Sequence, residues 1–286
     1  MLVDNDNFFG PVRVINAVHQ QIEIMQHLRQ GWRGEDRQRL LQVQTQYAEL
    51  LGWLYQDSGD FPTSHHWVDR SLEWSHMARD SQSTAYILAR QSHLAANMGN
   101  PADAIDAAEA AKAIARPNTT TAALAMTFAG QGHALWGDAD SSSRSYDQAR
   151  ELLLSCEPDH ESGYSLCFNG FNEGYLDVYR ARSLAVLGRF LPAAEVFHKA
   201  IEGLPEGYWR DRGVYLAWQA RAYAGAREAE QAADLGLQAL RVACQTGSAR
   251  IITELARLDD SLAPWHAVPQ VIEFRAALTD AIPYQV

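Results

Sequence analysis

The residue types that could do chemistry are scattered along this chain, and their spacing excludes more than it supports. His65, His66 and Asp69 put a histidine and a carboxylate four apart on one helical face, but two ligands make no metal site, so the run reads as a solvated polar face. Cys156, Asp159, His160 and Cys167 are metal-capable, yet their spacing matches no standard zinc pattern. Gly130 and Gly132 open like a dinucleotide fingerprint, but Leu135 stands where the third glycine belongs and no strand precedes them. Gly163, Tyr164 and Ser165 fall short of a nucleophile elbow, because Cys167 takes the place of its second glycine. No catalytic residue, metal or cofactor is predicted.

Composition narrows the partners. The 286 residues carry a formal charge of −11, and only Lys112 and Lys199 are lysines. An acidic surface repels phosphate backbones, so direct nucleic-acid binding is not expected. The start, MLVDNDNFFG, has two aspartates and no cationic lead into an apolar run, which argues against a secretory signal. No stretch approaches eighteen apolar residues, so no membrane span is expected. Three cysteines, Cys156, Cys167 and Cys244, without a CxxC spacing fit free thiols in a reducing, cytoplasmic compartment.

The elements that must position any site are clearest from Arg180 to Pro205. Ala181 and Leu184 mark one helix, Gly188, Arg189 and Phe190 a turn, and Ala193, Phe197, Ala200 and Pro205 a second helix returning against the first. Short side chains at Ala181, Ala193 and Ala200 let the two approach closely, and Phe197 fills the joint. Such a hairpin has more apolar surface than it can bury alone, and stacking on similar units is the remedy. Gly59, Gly99, Gly137 and Gly188 recur in similar surroundings at intervals of 40, 38 and 51. A fifth unit keeps Ala220, Tyr223, Ala232 and Ala239 but displaces its glycine, Gly225, two residues early. The predicted fold is all-α: a right-handed superhelical array of antiparallel helix hairpins.

This pattern of small residues, turn glycine and final proline resembles the tetratricopeptide repeat, matched fully only around Gly188. GWLYQDSGDF (52 to 61), WVDRSLEWSHMARD (67 to 80) and SLAPWHAVP (261 to 269) resemble the C-terminal regions of actinobacterial Xre-type transcriptional regulators. That resemblance implies transcriptional regulation, of secondary metabolism in particular, and dimerisation. The chain departs from those relatives in lacking a helix-turn-helix module ahead of the first repeat. We therefore expect either that such a module lies upstream in a longer parent or that the protein works without one.

The expected layout is capping helices in 1–44, five hairpins in 45–246 with an insertion at 155–175, and closing helices in 247–286. The opening helix over 12–30 aligns Val14, Ile15, Val18, Ile22, Met25 and Leu28, and serves to cap the stack or pair subunits. Tyr164, Phe168, Phe171 and Tyr175 in the insertion either cover a pocket or pack over a joint between hairpins.

In tetratricopeptide proteins the first helix of each hairpin lines a concave face, with its second, fifth, ninth and twelfth positions pointing inward. On these positions and beside them the chain carries Glu49, Trp53, Tyr86, His93, Asn97, Gln131, Tyr175, Tyr179, Arg182, Trp218 and Arg221. Aromatics with a few polar groups and small residues between them suit a ligand pocket. Arg182 and Arg221 hold the same position in adjacent repeats and must share an anion, either a ligand's or an internal Asp or Glu. The expected function is regulatory sensing of a peptide or small molecule. A protein-interaction scaffold is the close variant. An enzyme using Glu49, His93 and Tyr179 as acid, base or stabiliser has little support.

Overall fold

The computed structural model describes residues 11–156 and 171–281. The N-terminal stretch and most of the expected insertion, with Asp159, His160, Gly163, Tyr164, Ser165, Cys167 and Phe168, lie outside the described residues. Thirteen α-helices appear among the described residues. After α1 (Pro11–Gly31) come α2 (Gly34–Asp57), α3 (Phe61–Met77), α4 (Ser81–Asn97), α5 (Pro101–Ile114), α6 (Thr120–Trp136) and α7 (Ala139–Leu154). They are followed by α8 (Glu173–Val186), α9 (Phe190–Glu202), α10 (Trp209–Gly225) and α11 (Ala229–Thr246). A short 3-10 turn, Ala263–Trp265, separates α12 (Ala249–Ser261) from α13 (Pro269–Ala281). The protein is all-helical in this range, and no described helix is long and apolar enough to cross a membrane.

The helices pair because the chain turns back at left-handed positions and because small residues let them touch. Gly59, Gly99, Gly137 and Gly188 all have φ between 76° and 86°, a region that costs a residue with Cβ about 1–2 kcal/mol. Each is followed by an N-cap position, and Asp60 and Asp138 there accept from the backbone N–H of Thr63 and Ser141. Asn100 caps α5 with Pro101 at its first helical position, but its side chain makes no capping bond and reaches Asp103 instead. In three hairpins a serine hydroxyl on one helix donates to a carbonyl on the other: Ser64 to Gly52, Ser92 to Ala104 and Ser142 to Gly130, at 2.7, 2.6 and 2.8 Å. A Cβ on Gly52 would meet Val68 at 2.7 Å, and one on Gly130 would meet the Tyr146 ring at the same distance. Gly130 is thus a packing glycine.

The fifth hairpin corrects the reading of its glycine. The turn between α10 and α11 takes its left-handed residue at Arg227, with φ of 67°. Gly225 is instead a contact residue, since a Cβ there would lie 2.5 Å from the Phe190 ring.

By packing the chain forms two compact units. Among the described residues, unit 2 comprises 11–56, 60–156 and 171–179, and unit 1 comprises 57–59 and 180–281. In unit 2, α3, α4, α5, α6 and α7 pack in succession, and α4 also packs on α6. Its core gathers Val68, Tyr86, Leu94, Phe128, Tyr146 and Leu176. Helix α1 buries Val14, Val18, Ile22 and Met25, while Leu28 is exposed. It seats on α2 and α3 through His19, which lies 3.0 Å from the Tyr55 hydroxyl and edge-on to Trp67. In unit 1, α10 packs on α9, α11 and α12, and α13 closes on α11.

Candidate ligand-binding site

In unit 2 the expected stripe forms one connected network, organised by a residue the repeat pattern passed over. Arg90 is completely buried on α4. Its Nε donates to Glu49 Oε1 on α2 at 2.8 Å, its Nη2 to Gln56 Oε1 at 3.1 Å, and its Nη1 reaches His93 Nδ1 at 2.9 Å. Tyr86 donates its hydroxyl to the same Glu49 oxygen at 3.1 Å. Arg90 falls outside the second, fifth, ninth and twelfth positions of its repeat. Yet Arg90 lies four residues after Tyr86 and three before His93, which puts all three on one helical face.

A guanidinium has only donors, so His93 Nδ1 must accept, and its ring proton sits on Nε2. Asn97 donates back to the His93 carbonyl at 3.0 Å. Aromatic contacts complete the cluster. The His93 ring stacks on Phe128 at 4.6 Å and meets Tyr179 edge-on at 5.5 Å, and Phe128 meets Tyr179 the same way. The Arg90 guanidinium lies over Trp53 at 5.0 Å from its ring centre. Tyr146, across the joint, donates its hydroxyl to the Tyr179 carbonyl in the middle of α8 at 2.9 Å. Tyr175 packs half-buried against the same core.

Hydrogen-bonding capacity in unit 2 is left unmet. Glu49 Oε2, Gln131 Oε1 and both amide atoms of Gln44 are buried without a partner among the described residues. Gln131 lies three residues after Phe128 on α6, one turn from the stacked rings. Each such atom costs roughly 1–3 kcal/mol unless a water or a ligand supplies the missing bond, which makes these side chains candidates for a partner from outside the chain.

Eight expected site residues belong to unit 2; the other three, Arg182, Trp218 and Arg221, belong to unit 1. In unit 1, Glu254 on α12, 6% exposed, takes Arg221 on Oε2 at 2.5 Å and Arg257 on Oε1 at 2.8 Å, and the Arg182 charge acts on it as well. Burial pushes the Glu254 carboxyl up, but the charges of Arg221, Arg182 and Arg257 outweigh it and hold its pKa below the ordinary carboxylate range. The Arg182 and Arg250 guanidinium groups lie over the Trp218 ring, 4.4 and 5.3 Å from its centre. Glu254 is 33 residues beyond Arg221, outside any repeat register, and no sequence signal marked it.

His65 Nδ1 and Asp69 Oδ2 lie 3.0 Å apart, and Gln91 donates to the other Asp69 oxygen at 2.9 Å. Both line a small open cleft floored by Val68, Leu94 and Ala107. No group of three or more His, Cys, Asp or Glu placed to hold a metal occurs among the described residues.

Two of the comparisons with known proteins return nothing: no family model matches the chain, and no curated protein does. Among solved structures, the crystal structure of BtubC (BKLC) from P. vanneervenii is similar over 81% of this chain and 90% of that one. The TM-score is 0.52 and the identity 15%. The fold is all-α and helical-repeat-like. At that identity the likeness speaks of fold alone, and function has to be argued from the site.

Proposed function

We propose that this is a regulatory binding protein of tetratricopeptide-like, solenoid build. The first helices of its early hairpins, α2, α4 and α6, bind a small molecule or the end of a peptide. Support comes chiefly from two buried atoms that lack partners: Glu49 Oε2, in the network that holds Arg90, His93 and Trp53, and Gln131 Oε1, one turn from Phe128 on the same helix. A preformed site of fixed polar groups and aromatic faces binds with little ordering cost. The regulatory setting, transcriptional control of secondary metabolism, follows from the resemblance in the stretches 52 to 61, 67 to 80 and 261 to 269. Dimerisation belongs to the same reading.

Native mass spectrometry of the purified chain, alone and after incubation with an extract of its source organism, tests this. A discrete adduct that weakens at least tenfold in Gln131→Leu and in Trp53→Ala, with circular dichroism unchanged, is the expected result. No adduct in either condition would overturn the ligand reading in favour of a protein-interaction scaffold.

A further inference from the structure

In unit 1 the unmet hydrogen-bonding atoms around Trp218 and Arg221 are donors. Arg221 and Arg257 share a single carboxylate, Glu254, and neither has another acidic partner among the described residues. Two positive charges meet one negative charge there, and the Arg182 charge also acts on Glu254. Beside them Trp218 is 6% exposed, and its indole Nε1–H is buried with no acceptor among the described residues. Arg221 Nε is a second buried donor in the same condition. Tyr215 stacks at 5.8 Å and Phe197 packs at 6.0 Å against the Trp218 ring, so the indole is held in place. Access is open at the rim, because the Arg221 and Arg257 side chains are 39% and 48% exposed.

We propose that unit 1 carries a separate site for an oxyanion, a carboxylate or phosphate group, that accepts from Trp218 Nε1 and Arg221 beside the Arg182 and Arg250 guanidinium groups. An oxyanion supplies lone pairs for the two donors, Trp218 Nε1 and Arg221 Nε, and negative charge beside Arg221 and Arg257, which share one carboxylate; Arg250 already has Asp57 at 3.8 Å and adds to the field. Guanidinium is suited to the role because it binds planar oxygens and tolerates stacking on an indole at once. This site stands in a different unit from the one proposed above and does not depend on it.

The test is a nitrogen–proton correlation spectrum of the full chain, which has eight tryptophan indole signals. Trp218→Phe assigns the relevant signal by its loss. Inorganic phosphate and acetate are titrated separately against sodium chloride at matched ionic strength. The expected result is a saturable shift of the Trp218 indole signal with phosphate or acetate. Whichever anion binds tighter names the source. Binding should weaken at least tenfold in Arg221→Gln and less in Arg221→Lys. A signal that stays still with both anions, that moves as far with chloride, or that responds equally in Arg221→Gln overturns the proposal.

Discussion

Arg90 donates its Nε proton to Glu49 Oε1 across 2.8 Å, and neither side chain is more than 2% exposed. Both charges are out of water, so each is tolerable only while the other is present. Removing one partner of such a pair costs about 3–5 kcal/mol, whereas replacing both by apolar groups of similar volume is often close to neutral. Arg90→Ala should therefore lower the stability of the chain by about that much in urea unfolding, and Glu49→Leu combined with Arg90→Met should recover at least half of the loss. A double variant as unstable as the single one would mean that the bonds to Gln56 and His93, not the charge pair, carry the effect.

Unit 1 should answer to acid through Glu254. Its folded pKa lies below the unfolded value, because the nearby arginines outweigh the effect of burial. The unfolded chain then binds more protons in the window between the two values. Its contribution is complete above the ordinary carboxylate pKa of about 4.3 and is lost as pH falls through the folded one. Thermal melts between neutral pH and pH 3 should show the wild type losing stability through that window faster than Glu254→Gln, which starts lower and changes less. Parallel curves would show that the arginines do not hold the carboxylate charged.

The turn after α10 makes an unusual prediction about a glycine. Alanine normally improves a helix over glycine by about 1 kcal/mol, yet at Gly225 its Cβ would press on the Phe190 ring, and overpacking costs about 1–3 kcal/mol. Gly225→Ala should thus destabilise, while Arg227→Gly, which relieves a positive φ, should stabilise by up to about 1 kcal/mol. Denaturant midpoints of the two variants moving in opposite directions would confirm the assignment. If both fall, Arg227 makes contacts worth more than its backbone strain.

The hairpins were legible because their grammar is local: Gly137, Asp138 and Ser141 are a turn, a cap and its donor within five residues. The pairing of α4 with α5 and of α6 with α7 also follows from small residues at the contacts, Ala104 and Gly130 among them. Gly225 misled because the same residue type serves both a backbone need and a close approach, and only the position of Phe190 separates them. The stripe found Glu49, Tyr86 and His93 but not Arg90, which repeat positions exclude though helical spacing admits it. Glu254 lies where two helices remote in sequence meet, and no periodicity reports such a meeting.

Gln131 and Gln44 give the sharpest test of whether unit 2 is built to bind. Gln44 is fully buried on α2 with neither amide atom bonded among the described residues, and Gln131 lacks a partner for its oxygen. If the free protein leaves these atoms bare, an apolar side chain of similar size removes the penalty, and Gln44→Leu and Gln131→Leu should each raise stability by about 1–2 kcal/mol. A buried water that completes the bonds would reverse the sign, since leucine would then displace a bound partner. Only an actual vacancy in hydrogen bonding couples the two properties: Gln131→Leu should gain stability without ligand and lose affinity for it. Melting temperatures of the variant with and without the extract-derived adduct read both at once. A loss of stability on both sides of that comparison would assign Gln131 to the architecture of unit 2 and remove it from the binding site.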